Sequence, residues 1–96
     1  MRPSAALEPK RNEVHALVKR FRTANPRVFG SVLDGADREG SDLDLLVDPL
    51  PGATLFDLGG LQIALEELLG VEVDLLTPGD LPASFRQQIL TEARPV

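Results

Sequence analysis

Gly30-Ser31 is followed by ten residues and then by Asp42-Leu43-Asp44, with strand-type runs on either side. Before the glycine stands Arg27-Val28-Phe29. After it, Leu43, Leu45 and Val47 alternate with Asp42, Asp44, Leu46 and Asp48. Side chains two apart on a strand share a face, so the three apolar residues point one way and the aspartates the other. The chain is therefore constrained to a sheet whose core lies on one side. The opposite side carries Asp42 and Asp44, a fixed distance from a small hydroxyl-bearing turn.

The remaining pattern supplies helices to cover the sheet. Val14, Leu17, Val18 and Phe21 recur at helical spacing and predict a helix from about Glu8 to Ala24, ended by Asn25-Pro26. Residues 1–8 hold the first of two early prolines and read as a flexible arm. Ser31 is placed to cap a short helical turn from Val32 to about Asp34 or Ala36, and Gly35 to Gly40 reads as a polar loop. Thr54 with Asp57 forms a capping-box pattern ahead of a helix that Gly70 closes. Gly59-Gly60 fits poorly inside that helix: either it starts only at Leu61 or the glycines allow close packing. Val71–Leu76 reads as the next strand, Leu81–Ala93 as a final helix, and Arg94-Pro95-Val96 as a stub of edge strand. The expected architecture is α/β (α+β), a single domain over residues 1–96 in the order α-β-α-β-α-β-α, with a small mixed sheet and packed helices.

Composition narrows the function classes. There is no cysteine, so disulfides and thiolate metal sites are excluded and a reducing compartment is expected. No apolar run approaches the ~20 residues of a membrane span and no signal-peptide core is seen, so a cytoplasmic protein is expected. The net charge of −5 is uneven: residues 1–27 hold seven of ten basic residues, leaving three bases against thirteen acids in residues 28–96. An acidic body does not hold duplex nucleic acid by its own field; it suits divalent cations or a basic partner. The basic N-terminal segment reads as a solvated helix face, or as a docking surface for an acidic partner.

Carboxylates at Asp42 and Asp44 can converge on one pair of metal ions. Mg²⁺ takes oxygen ligands and is usually held by one or two carboxylates plus substrate phosphates. Two ions about 3.5–4 Å apart can stabilise both oxygens of an in-line displacement at phosphorus. Asp74, a charge within an apolar strand, is the candidate third carboxylate, as a metal ligand or as the acceptor of the attacking hydroxyl's proton. Gly30 permits close backbone approach, and Ser31 with the following amides offers donors to a phosphate. Asp-x-Asp alone is a weak signal. Four specified positions at fixed spacing match by chance in about one chain of this length in a thousand.

The segment Val28–Val47 resembles the Gly-Ser-x10-Asp-x-Asp signature of the DNA polymerase β-like nucleotidyltransferase superfamily. It is most similar to the minimal nucleotidyltransferases, the MntA-type antitoxins. The likeness extends to Leu55-Phe56-Asp57-Leu58, to Val71-Glu72-Val73-Asp74-Leu75-Leu76 and to Gln88-Ile89-Leu90. It implies a nucleotidyltransferase fold, with Gly30 and Ser31 as the nucleotide-phosphate turn and Asp42, Asp44 and Asp74 as catalytic Mg²⁺ ligands. It also implies ATP as donor and AMP transfer to a hydroxyl, usually a tyrosine, of a cognate HEPN-domain ribonuclease toxin. Many relatives carry Ala-Arg-Gly where this chain has Leu33-Asp34-Gly35, so an acid stands in place of a phosphate-facing arginine, and Arg38 is the nearest substitute.

Two alternatives stay open: an antitoxin with an idle site that acts by direct binding, and a nucleotidyltransferase acting on RNA ends or a small molecule. The minimal length argues against a grip on nucleic acid. His15 reads as a solvated surface residue. Phe21, Phe29, Phe56 and Phe85 all fall at positions expected to point inward.

Overall fold

Alternation along the second strand decides the layering. The computed structural model describes residues 1–96. The helices and strands are α1 (Pro3–Leu7), α2 (Arg11–Arg20), β1 (Thr23–Phe29), β2 (Leu43–Pro49), α3 (Leu55–Leu69), β3 (Val73–Leu76), α4 (Arg86–Glu92) and β4 (Arg94–Pro95). Single 3-10 turns cover Glu8–Lys10, Gly30–Val32 and Pro78–Asp80. The four strands run in the order β3-β2-β1-β4. β1 pairs antiparallel with both β2 and β4, and β2 pairs parallel with β3, whose connection is α3. The mixed sheet with packed helices is the expected architecture, and no helix is long and apolar enough to cross a membrane.

Leu43, Leu45 and Val47 are fully buried and meet Val28 and Val73 in one core. Over them lie Ala6 and Leu7 of α1, Val14 and Val18 of α2, and Leu61, Leu65 and Leu69 of α3. Each such leucine contributes about 1.5–3 kcal/mol of burial. Leu46 and Leu81 are buried outside this cluster. By alternation Leu46 faces the other side of the sheet, and the chain from Thr77 to Ala93 returns over that side from β3 at one edge to β4 at the other. The carboxyl half of β2 is thereby covered on both faces.

Several expectations need correction. Residues 1–8 are not a loose arm: Pro3–Leu7 is a helix, with Pro3, Ala6 and Leu7 buried. The next helix ends at Arg20 rather than Ala24, because Thr23 and Ala24 pair with Pro49 and Asp48 and ladder pairing overrides the helical pattern. Arg22 turns the chain in the left-handed region, and the Thr23 hydroxyl donates to the Val18 carbonyl at 2.8 Å. Pro26 lies inside β1 at a bulge, its carbonyl accepting from Val96 N. The final helix is shorter than expected, Arg86–Glu92, since Thr77 and Asp80 form a separate capping box ahead of it.

Phe56 and Phe85 are not core residues. Phe56 is 92% exposed, beside Leu55 at 84% and Ile63 at 60% on α3, while Phe85 lies at the surface before α4. Gly59-Gly60 is helical within α3, whose capping box at Thr54 and left-handed Gly70 terminus match expectation. A Cβ at Gly60 would stand 2.7 Å from Phe21 Cε1, so this glycine is what lets α2 and α3 approach. His15 is not merely solvated: its Nε2 donates to the Val96 carbonyl at 2.7 Å, pinning the end of the chain to α2.

Candidate functional site

The site lies where β1 ends and β2 and β3 begin. Gly30 follows β1 with φ +74°, a conformation open to glycine and strained for other residues. It starts the 3-10 turn, closed by Leu33 N donating to the Gly30 carbonyl at 3.1 Å. Ala36 N donates to the Ser31 carbonyl at 2.9 Å. The Ser31 hydroxyl makes no hydrogen bond within the chain.

Phe29 stands opposite Asp44 across the antiparallel pair, and Asp44 opposite Asp74 across the parallel pair. Neighbouring strands lie about 4.8 Å apart, so these two carboxylates are side by side. Asp42, two residues before Asp44, shares its face. Asp42 and Asp74 are exposed and Asp44 is half-buried. The structure thus brings together Gly30, Ser31, Asp42, Asp44 and Asp74, the five residues singled out from the sequence.

Their electrostatics are uncompensated. No lysine or arginine pairs with Asp42, Asp44 or Asp74, and none of the three carboxylates accepts a hydrogen bond. Burial pushes the Asp44 carboxyl up from 3.8 to about 6, and the charges of Asp74 and then Asp42 add to it. Hard oxygen donors without a countercharge fit a divalent cation. The three side chains do not by themselves close into a three-ligand cage.

Asp34 is exposed and forms no ion pair, and Arg38 is exposed with its backbone N donating to Ser41 Oγ at 2.9 Å. The Arg38 side chain makes no ion pair or hydrogen bond. Three surface hollows exist, and none is lined by Asp42, Asp44 or Asp74. The carboxylates line an open edge, and the hollow nearest to them, of about 400 Å³, lies beyond the starts of β2 and β3 among Ser41, Gly70 and Glu72.

One residue of this region escaped sequence reasoning. Asp37, in the middle of the loop between Ser31 and Asp42, is buried, and its Oδ2 accepts from Ser4 N at 2.9 Å. The partner is distant in sequence, and no local pattern marks it.

The family model for the nucleotidyltransferase domain matches residues 11–96, and the chain belongs to that family. It is 42% identical over 66 residues to the protein named "Putative protein adenylyltransferase MJ0435" of Methanocaldococcus jannaschii, covering 69% of this chain and 71% of that one. It is 37% identical over 76 residues to the protein adenylyltransferase MntA of Thermococcus cleftensis, covering 79% and 77%. Among solved structures, "Structure of putative minimal nucleotidyltransferase" superimposes with a TM-score of 0.87 at 45% identity, over 97% of this chain and 95% of that one. A toxin-antitoxin crystal structure with AMP-PNP shares the fold at a TM-score of 0.72 and 22% identity, over 88% and 69%.

Proposed function

We propose that this chain is an antitoxin that transfers AMP from ATP to a hydroxyl, a tyrosine by preference, of a HEPN-domain ribonuclease toxin, in the cytoplasm and with Mg²⁺. The observation that carries this reading is Asp44, half-buried against Asp74 and Asp42 without a countercharge, one strand from a turn whose serine hydroxyl is free. Support comes from relatives named protein adenylyltransferase, from a structural neighbour described as the toxin-antitoxin MntA-HepT, and from a toxin-antitoxin structure with AMP-PNP.

In this reading Gly30 lets the nucleotide phosphates approach the backbone, and Ser31 donates to them. Asp42, Asp44 and Asp74 would hold the metal, which when bound neutralises charge on the phosphates and on the leaving pyrophosphate. The acceptor oxygen attacks the α-phosphorus, the bond to the bridging oxygen of the β-phosphate breaks, and pyrophosphate leaves. Asp74, an exposed carboxylate beside Asp44 on the neighbouring strand, takes the hydroxyl proton.

A second reading, neutralisation by contact with an idle site, is favoured by two observations. Asp34 places an acid where a phosphate-facing cation is expected. Leu55, Phe56 and Ile63 present a solvent-facing apolar patch of the kind that marks protein interfaces. One experiment separates the two: the partner is co-expressed and supplied with ATP labelled on the α-phosphate. The transfer reading expects label on the partner with the native chain, and none with Asp42→Asn/Asp44→Asn, which also loses neutralisation. Unlabelled partner and full neutralisation by the double variant would establish contact alone. Acceptors such as RNA ends or small molecules are tested in the same assay.

A further inference from the structure

Asp37 divides the loop that joins the two halves of the site. On its amino-terminal side, Ala36 N donates to the Ser31 carbonyl at 2.9 Å and folds the segment back on the phosphate turn. On its carboxyl-terminal side, Ser41 N donates to the Arg38 carbonyl and Arg38 N to Ser41 Oγ, both at 2.9 Å, closing a second turn that leads into Asp42. Each half is held locally, and nothing within the loop fixes one relative to the other. Asp37, at their junction, is the loop's buried residue, only 3% exposed between exposed neighbours.

Its anchor lies outside the loop. Oδ2 accepts from Ser4 N in the first turn of α1 and stands 3.9 Å from Arg2 Nε. Oδ1 is buried with no hydrogen-bond partner. The Ser4 amide holds the carboxyl below the usual range, so it is charged at neutral pH. The first turn of α1 has no side-chain cap of its own, and Asp37 serves as one from a distance. α1 is in turn fixed by Ala6 and Leu7, both in the main core. A short rigid path therefore runs from the core through α1 to the midpoint of the site loop.

We infer that Asp37 is a positioning residue for nucleotide binding, and that α1, through the Ser4 amide, sets the separation between the Gly30-Ser31 turn and Asp42. This rests on the nucleotidyl-transfer reading and adds to it a residue that touches neither phosphate nor metal. Misplacement of such a pair by about 1 Å is enough to lose about 10²-fold in a rate.

The test measures the affinity of the full-length chain for AMP-PNP with Mg²⁺ by calorimetry. Asp37→Ala is expected to weaken binding at least tenfold. Asp37→Asn, which keeps an oxygen for the Ser4 amide, is expected to stay within threefold. Val18→Ala lowers stability from the core under α2, outside α1 and the loop, and is expected to bind within twofold under conditions where it is folded. Asp37→Ala binding as the native chain does, or Val18→Ala losing as much as Asp37→Ala, overturns the inference. A second measurement needs no variant. Coupling is reciprocal, so saturation of the native chain with Mg²⁺ and AMP-PNP must slow hydrogen exchange at the Ser4 amide. Unchanged exchange there overturns the inference even if Asp37→Ala does not fold. A native chain that binds no nucleotide overturns the nucleotidyl-transfer reading itself, and this inference with it.

Discussion

The space where a side chain would begin at Gly30 is filled by Asp44 Oδ2. The Gly30-Ser31 turn and the central carboxylate are therefore in contact, and the glycine is required twice: by φ +74° and by its neighbour. Gly30→Ala is expected to introduce about 1–2 kcal/mol of backbone strain. It must also displace the Asp44 carboxyl. Transfer of label from ATP to the partner is expected to fall by about 10²-fold, more than the loss of folded protein explains. Thermal unfolding and the labelling rate, measured side by side, check this; a variant that labels at the native rate would show that the contact carries no function.

Asp44 sets a pH dependence whose sign can be worked out. Its folded pKa of about 6 lies above the ordinary 3.8, so between these values the folded chain binds more protons than the unfolded one. Without metal, the contribution of Asp44 to stability is full below about pH 4 and is lost as pH rises through about 6. Asp44→Asn removes that loss. It is expected to be more stable than the native chain at pH 7.5 by about 1–2 kcal/mol, after allowance for solvent screening of a half-exposed group. At pH 4 the advantage is expected to vanish. Urea unfolding in a chelator at the two pH values decides this. Added Mg²⁺ is expected to raise the melting temperature of the native chain and to leave that of Asp44→Asn unchanged.

What the sequence made legible is what local pattern encodes. Asp42, Asp44 and Asp74 could be placed on one face because strand alternation is strict and the leucines and valines between them must face a core. Gly70 and the Thr54–Asp57 box are local devices and appear where expected. The misses are long-range. Pro3–Leu7 reads as an arm until the core takes up Ala6 and Leu7, and Ala24 to Pro26 reads as a helix end until β2 supplies pairing partners. The role of Asp37 depends on an amide 33 residues away. Phe56 falls at a position expected to point inward, yet α3 is apolar on more than one side, and it is Leu61, Leu65 and Leu69, flanked by Leu58 and Leu68, that meet the core.

That second apolar side of α3 is testable as a partner surface. Leu55 and Phe56 are 84% and 92% exposed, so replacing both by serine removes almost no burial and is expected to change stability by less than about 0.5 kcal/mol. Acid-rimmed and without a base on α3, the patch suits a partner with an apolar and basic face. The double variant is expected to bind the toxin at least tenfold more weakly, about 1.4 kcal/mol, with its affinity for AMP-PNP unchanged. Titration of the native and variant chains against the toxin checks this, and equal affinities would remove the patch from the interface.

Gly59 and Gly60 form a matched pair within one helix. An alanine costs less helix propensity than a glycine by about 1 kcal/mol at either position. At Gly59 a new Cβ meets nothing within 4 Å, so Gly59→Ala is expected to realise that gain. For a domain of this size each kcal/mol corresponds to about 4–8 °C in melting temperature. At Gly60 the Cβ would stand 2.7 Å from Phe21 Cε1 and 3.3 Å from Cδ1. The ring packs against the core on one side and carries the Arg20 guanidinium 5.5 Å from its centroid on another, so it cannot move away freely. Overpacking of this kind costs about 1–3 kcal/mol, which exceeds the propensity gain. Gly60→Ala is therefore expected to melt below the native chain and Gly59→Ala above it. If Gly60→Ala melts at or above the native temperature, the approach of α2 to α3 does not depend on that glycine, and Phe21 has room that the packing denies it.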